Sequence, residues 1–215
     1  MSSPRRSSPR TRRSIAAVAL AVLVAAMGFS TTWLSPEEEE AINPPAFVAA
    51  DFVEENFSGW QQTITESAVD IAVLAPAVDE NLAAAGAEYG QDLGSNAYAF
   101  PVTATGTIKE VDANFALLEV AGVPQDVEVR IALGNVLQGT AVRDAIGDVK
   151  FGDFQDQTAF QSVANEIKIK IQSDVLTSVQ PDLAAGVQVT VVGGWATGGP
   201  PKSFIIHPVS IEVGQ

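Results

Sequence analysis

The chain has 215 residues, no cysteine, one histidine and a formal net charge of −14. The lack of cysteine excludes disulfides, thiolate metal sites and a lipid-modified cysteine, and a single histidine excludes a metal centre built from several imidazoles. From Glu37 onward there are seven basic and 26 acidic residues, a formal charge of −19, which excludes nucleic-acid binding by this part of the chain.

The first 46 residues divide into three segments. Residues 1–14 form a Ser/Pro/Arg arm with almost no apolar side chain to bury, and we predict that it is disordered. Residues 15–34 carry no charge and match the roughly 20 residues that a bilayer core of ~30 Å requires, so we predict a transmembrane anchor. Residues 35–46 are acidic and contain proline, which predicts a linker.

The charges on either side of residues 15–34 predict the orientation of the chain. Arginines precede the segment and glutamates follow it, which favours a single-pass protein of the bacterial plasma membrane with a cytoplasmic N-terminus. Two alternatives stay open, a cleaved signal peptide and a twin-arginine export signal. The body is extracytoplasmic under all three interpretations.

Residues 47–97 predict a helical subdomain. Apolar residues recur at three- and four-residue spacing from Phe47 to Trp60, as on one face of a helix. An Ala-rich helical pattern follows from about Thr65, and Pro76 predicts a kink or a division into two short helices. Gly86 or Gly90 is expected to end it.

Residues 98–215 predict five strands with one long helix between the third and the fourth. Alternating apolar and polar residues from Tyr98 predict the first strand, and two further strands and a turn follow. Apolar residues at helical spacing predict an amphipathic helix at about 154–178, before two final strands. We therefore predict an α+β fold, an OB-like five-stranded β-barrel with an inserted helix, behind the helical subdomain and the transmembrane helix.

Two motifs near the C-terminus have structural interpretations. The segment TGGPPKS resembles a phosphate loop, but Pro200 and Pro201 precede Lys202 and a strand follows where a helix is needed, so we predict a hairpin loop. His207 alternates with aliphatic residues and is predicted to be structural. No cofactor motif and no metal site are predicted.

The segment GTAVRD, residues 139–144, places two charged residues in an apolar setting. Buried charges require partners, and we expect Arg143 to reach Asp153, Asp156 or Glu166. Thr140 is expected to cap a helix, and Asp144 to cap backbone amides. One interpretation is a structural brace between the third strand and the long helix. The alternative is a small-ligand site, whose candidate binding residues are Thr140, Arg143, Asp144, Asp153 and Gln157.

This segment resembles a family of predicted periplasmic lipoproteins of bacteria, the domain of unknown function 2291 family. The resemblance is carried by Gly139, Thr140, Ala141, Val142, Arg143, Asp144 and Ala145, and then by Phe151, Asp153, Phe154, Asp156 and Gln157. It extends over residues 47–213 and implies an OB-like fold without a known activity. Members are often lipoproteins, and some are encoded beside sugar-uptake ABC transporters. This chain departs from the pattern because no lipid-accepting cysteine stands near MGFSTT.

Three hypotheses for function follow. The first is a non-enzymatic accessory or binding module of the envelope, with a membrane transporter or another envelope protein as partner or a small carbohydrate as ligand. The second is a structural or assembly protein that docks an envelope partner. The third is a carbohydrate-active enzyme that uses Asp144 and Asp153 as acid and base, which requires carboxyl groups ~5–10 Å apart.

Overall fold

A computed structural model of the protein describes residues 9–30, 35, 47–200 and 202–214. The chain forms two compact units, residues 1–46 and 47–215. The predicted linker, residues 35–46, lies outside the described residues except for Ser35. The boundary that we predict at residue 97 falls inside the second unit, and the division of the body there stays a prediction.

The first unit contains helix α1, Pro9–Ser30. Its proline stands at the first helical position, where its missing N–H leaves no helical hydrogen bond unmade. α1 begins within the segment that we predict to be disordered, and residues 1–8 lie outside the described part. Among the described residues, no helix is long and apolar enough to cross a membrane. The predicted transmembrane helix over 15–34 is therefore not supported, and residues 31–34 lie outside the described residues.

The second unit contains five further helices and seven strands among its described residues, apart from short 3₁₀ turns and one π-helical turn. In chain order they are α2 (Ala49–Ser67), β1 (Val69–Asp70), α3 (Ile71–Tyr89), β2 (Gln91–Gly94), β3 (Ala97–Val111), β4 (Phe115–Val120), β5 (Glu128–Ala132), α4 (Gly139–Ile146), α5 (Gln157–Lys170), the π-helical turn (Ile171–Leu176), α6 (Thr177–Val179), β6 (Gln188–Ala196) and β7 (Ser203–Val213).

The two N-terminal helices of this unit follow the predicted apolar spacing. α2 buries Val53, Phe57, Trp60 and Ile64, which recur at three- and four-residue intervals. α3 runs through Pro76 and is interrupted at Asn81, whose backbone is extended (φ −159°, ψ 98°). The predicted break at Pro76 is wrong in position, because the Asn81 side chain accepts a hydrogen bond from the Ala84 N–H and starts a second helical segment. α3 ends at Gly90, as predicted.

Five strands pair into a closed ring. β3 pairs with β4, β4 with β5, β5 with β7, β7 with β6, and β6 pairs back with β3. All of these pairings are antiparallel except β5 with β7. β1 and β2 are short additions to β3 that the periodicity does not predict. The predicted five strands, with helix between the third and the fourth, are thus confirmed.

The helical insertion differs from the prediction in two details. The predicted turn after the third strand instead contains α4, eight helical residues that end at Gly147, whose positive φ of 77° suits a residue without a side chain. The long helix starts at Gln157 rather than at 154, because Asp156 accepts from the Ala159 N–H as its N-cap. Its predicted apolar face is confirmed, since Val163, Ile167 and Ile171 are fully buried.

The core lies inside the ring of strands and under the helices. One continuous apolar cluster joins α2 and α3 to the strands and to α5. Phe100 of β3, Ile131 of β5 and Ile206 of β7 are among its fully buried members. Because the helices and the strands share this cluster, the relative positions of α3, α4 and the ends of β6 and β7 are set by packing.

Candidate functional site

The GTAVRD segment forms most of α4, and its two charged residues bind each other. Arg143 is only 5% exposed, and its Nε and Nη2 lie 2.8 and 2.7 Å from Asp144 Oδ1. Its Nη1 donates to the carbonyl oxygen of Phe160 on α5 at 3.2 Å, and its guanidinium carbon lies 3.6 Å from the centre of the Phe160 ring. Arg143 therefore joins α4 to α5 through a charge pair, a hydrogen bond and a cation–π contact.

Our expectation for the partners of Arg143 is wrong. It does not pair with Asp153, Asp156 or Glu166, because the long arginine side chain folds back on the neighbouring carboxylate. Asp144 is occupied by that pair. The N-cap of α4 is Gln138, so the expected cap at Thr140 is also wrong.

Two glycines allow α4 to approach its neighbours closely. A Cβ on Gly139 would lie 1.8 Å from the backbone oxygen of Ala164 on α5. A Cβ on Gly194 of β6 would lie 2.5 Å from the backbone oxygen of Ala141. Both distances are far below van der Waals contact, so any side chain at these positions would force α4 away from α5 or from the ring of strands.

The predicted binding residues Thr140, Asp153 and Gln157, all within the described part of the chain, make no hydrogen bond or ion pair with Arg143. Asp153 is exposed and accepts from the Lys150 N–H at 3.1 Å, which closes a 3₁₀ turn. Gln157 is exposed at the first position of α5, and Thr140 is half-buried in α4. Among the described residues, none of the five predicted binding residues lines either of the two pockets described next. Their role in ligand binding stays a prediction.

A pocket of about 330 Å³ lies between α3 and the end of the β6–β7 hairpin. We call it the α3 pocket. Its apolar lining consists of Ala75, Val78 and Leu82 from α3, with Val127, Trp195, Pro200 and Phe204 opposite. Ala75 and Val78 are three residues apart on one face of the first segment of α3, and Leu82 follows the break at Asn81. The polar residues at the pocket are Asp79, Thr197, Lys202 and Ser203.

Lys202 and Ser203 differ in how their polar groups are satisfied. The Lys202 ammonium pairs with Asp126, and this hydrogen bond, together with the charges of Asp126 and Asp79, raises the pKa of Lys202. Ser203 is 6% exposed, and its hydroxyl has no hydrogen-bond partner among the described residues. A buried hydroxyl without a partner costs about 1–3 kcal/mol, so Ser203 is the unsatisfied polar group of this pocket.

A second pocket of about 250 Å³ lies on the other side of the hairpin end. We call it the His207 pocket. It is lined by Gln138 and Ala141 near α4, by Ile205 and His207 of β7, and by residues 195–199. Ser203 lines this pocket as well as the α3 pocket, so the two pockets share a wall at the start of β7.

His207 is held by the backbone at the start of α4. Its Nδ1 accepts a hydrogen bond from the Gln138 N–H at 3.0 Å, and the residue is 6% exposed. Burial lowers the pKa of His207 to about 4, so the ring is neutral at physiological pH. Because Nδ1 acts as the acceptor, the single proton of the neutral ring is on Nε2.

Sequence reasoning missed both of these pocket residues as candidates. The hairpin loop that it predicted at TGGPPKS is confirmed by the antiparallel pairing of β6 with β7. The available signal was a serine and a histidine at buried positions of one strand, in SFIIHPV. This signal does not identify a site by itself, because the placement of α3 and α4 against the strand comes from tertiary packing.

Comparison with solved structures supports the strand order. An OB-fold protein from Thermotoga maritima superimposes with a TM-score of 0.63 at 18% sequence identity, over 79% of this chain and 99% of that chain. A likeness at this identity shows the fold alone, and it agrees with the predicted OB-type arrangement. No curated protein matches the chain.

Comparison with protein families gives a match over nearly the whole sequence. The family described as predicted periplasmic lipoprotein matches residues 17–212. This range contains α4, both pockets and every described strand except the last residue of β7. The protein therefore belongs to the DUF2291 family of predicted periplasmic lipoproteins.

Proposed function

We propose that the protein is a non-enzymatic, extracytoplasmic module that binds a small amphipathic molecule in the α3 pocket. The observation that carries this proposal is Ser203, which lines a largely apolar pocket and whose buried hydroxyl has no partner among the described residues. The pocket volume of about 330 Å³ lies within the usual range for small-molecule sites. A ligand that hydrogen-bonds this hydroxyl recovers the free energy lost by its burial.

The spacing of the polar groups supports binding rather than hydrolysis. Ser203 and His207 are four residues apart on one strand, which separates their Cα atoms by about 13 Å, too far for a nucleophile and its base. Asp144 is held by Arg143, and Asp153 closes a turn. The two carboxylates proposed for a carbohydrate-active enzyme thus both have structural partners.

The extracytoplasmic location is supported by the family and by the N-terminal segment. The arginine-rich arm followed by the uncharged residues 15–34 is suited to an export segment. In bacterial cells, we expect a reporter fused after residue 215 to be active outside the cytoplasmic membrane. Activity confined to the cytoplasm would contradict the proposal, and the mass of the exported chain would show whether residues 15–34 are retained.

The binding proposal is tested by a thermal-shift screen of the full chain against small amphipathic molecules. Ligands of the α3 pocket raise the melting temperature, by an amount that grows with ligand concentration. The Leu82→Trp variant fills the pocket and should remove this shift, whereas Val73→Trp adds the same ring at an exposed position of α3 outside the pocket. A shift that persists in Leu82→Trp, or a screen without any shift, would contradict the proposal.

The partner of such a module stays a prediction. A membrane transporter, another envelope protein and a small carbohydrate are the partners that the sequence suggests, and a link to sugar uptake rests on the family resemblance. The thermal-shift screen should include neutral sugars, because stabilisation by one of them would connect the α3 pocket to that expectation.

A further inference from the structure

Ser203 lines both pockets, and the His207 pocket also contains a hydrogen-bond donor, the Nε2–H of His207. The Gln138 N–H donates to His207 Nδ1, so the ring proton is on Nε2. Among the described residues, Nε2 has no hydrogen-bond acceptor, and His207 lines the pocket. This leaves an N–H donor that is available to a ligand.

The lining of the His207 pocket, within the described part of the chain, contains no charged side chain. An anionic group placed there would lose its hydration without gaining a cation, and a cationic group would lack a carboxylate. The Thr197 hydroxyl already accepts from the Tyr98 N–H at 2.9 Å, so its remaining proton is a second donor at the same pocket. Two donors in a neutral setting suit an uncharged oxygen acceptor.

From this geometry we propose, resting on the proposed function, that the His207 pocket recognises an uncharged carbonyl oxygen of the same ligand whose apolar part occupies the α3 pocket. His207 Nε2 donates to that oxygen, and the group that joins the two parts lies beside Ser203, which lines both pockets. The ligand class is a neutral amide or ester with a small apolar group.

The test uses the only imidazole of the chain as a reporter. The full chain, labelled with ¹⁵N, is titrated with N-isobutylacetamide, and the NMR signals of His207 Nε2 and of the Trp195 indole are followed. Trp195 lines both pockets and reports occupancy of either one. We expect both signals to shift in parallel, and the free protein to show the ring proton on Nε2.

Three outcomes would overturn the inference, and they separate it from the proposed function. A shift at Trp195 without a shift at His207 removes the carbonyl subsite but leaves the α3 pocket as a binding site. A shift at neither residue removes the subsite and leaves the proposed function to the thermal-shift screen. An equal response of His207 to acetate contradicts the preference for an uncharged acceptor.

The His207→Asn variant provides a matched control. An asparagine can still accept from the Gln138 N–H, but it lacks the Nε2 donor. We expect the dissociation constant of N-isobutylacetamide to rise about five- to tenfold, the usual effect of one lost neutral hydrogen bond. Isobutanol, which has the same apolar group without the carbonyl, should bind both proteins equally. Unchanged amide affinity in the variant would contradict the inference, and the wild-type titration decides the matter if the variant does not fold.

Discussion

The α4 segment and the end of the β6–β7 hairpin both pack on the ring of strands, but they differ in whether their buried polar groups have hydrogen-bond partners. In α4, Arg143 uses its donors on Asp144 and Phe160, and Gly139 brings two helix backbones together. At the hairpin end, the Ser203 hydroxyl and the His207 Nε2–H have no partner among the described residues. The distinctive GTAVRD motif thus takes part in packing, whereas the polar groups without partners lie on β7, whose sequence is less distinctive.

The largest expected effect is at Gly139. Gly139→Ala places a Cβ 1.8 Å from the Ala164 oxygen, and because backbone atoms cannot rotate away, α4 must move from α5. We expect a loss of about 3 kcal/mol or more in the free energy of unfolding, measured by urea denaturation. Gly59→Ala is the control, since nothing lies within 4 Å of its Cβ and a helical alanine should add about 0.5–1 kcal/mol. Equal stabilities of the two variants would contradict the packing role.

The next effect is at Arg143. Arg143→Ala leaves Asp144 without its partner and the Phe160 carbonyl without its donor, and we expect a loss of about 3 kcal/mol in the free energy of unfolding. Arg130→Ala, which breaks the more exposed pair with Glu128, should cost less than about 1 kcal/mol. A small loss at Arg143, combined with loss of ligand binding, would instead support the predicted ligand site in α4.

His207 gives the stability of the protein a pH dependence. Its pKa is about 4 in the folded state and 6.5 when unperturbed, so the unfolded chain takes up a proton first as the pH falls. Stability from the neutral ring is complete above pH 6.5 and declines toward pH 4, by about 3 kcal/mol in total. The difference between the wild type and His207→Asn, measured by urea denaturation at several pH values, isolates this contribution from the carboxylates. A constant difference would show that the buried ring does not titrate in this way.

The smallest effect is at Ser203. Ser203→Ala removes a hydroxyl without a partner, so we expect unchanged stability or a gain of up to about 1 kcal/mol. Thr197→Val, in contrast, removes the acceptor of the Tyr98 N–H and should destabilise by about 1 kcal/mol. If Ser203→Ala proves clearly destabilising, the hydroxyl has a structural partner and the contrast between the two regions fails.

The local periodicity of the sequence is sufficient to predict most of the fold. Each of α2, α5, β3 and β7 buries one face more than the other. This produces the apolar spacing of the helices and the alternation of the strands, and both patterns are visible in the sequence. Closure of the ring is different, because it depends on β3 pairing with β6, for example Thr105 with Thr190, between segments far apart in the chain. The order of elements predicts this pairing only by analogy with the OB arrangement. β1 and β2 are too short to show a recognisable alternation of apolar and polar residues.

The contacts of the candidate site are harder to predict from the sequence than the fold. Adjacent residues on a helix point in different directions, which favours a distant carboxylate as the partner of Arg143, but the arginine side chain is long enough to return to Asp144. The pocket at Ser203 depends on α3 lying beside the hairpin, and the tautomer of His207 depends on one backbone N–H at the start of α4. Both are contacts between segments far apart in the chain, which no local pattern contains.

The pairing of β3 with β6 also bears on the order in which the protein folds. The backbone hydrogen bonds of α2 and α3 are local and can form early. The ring, in contrast, needs β6 and β7, residues 188–213, before β3 and β5 are paired along both of their edges. Bringing such distant segments together has an entropic cost that slows folding. We therefore expect the nascent chain to stay open until its C-terminal strands are available.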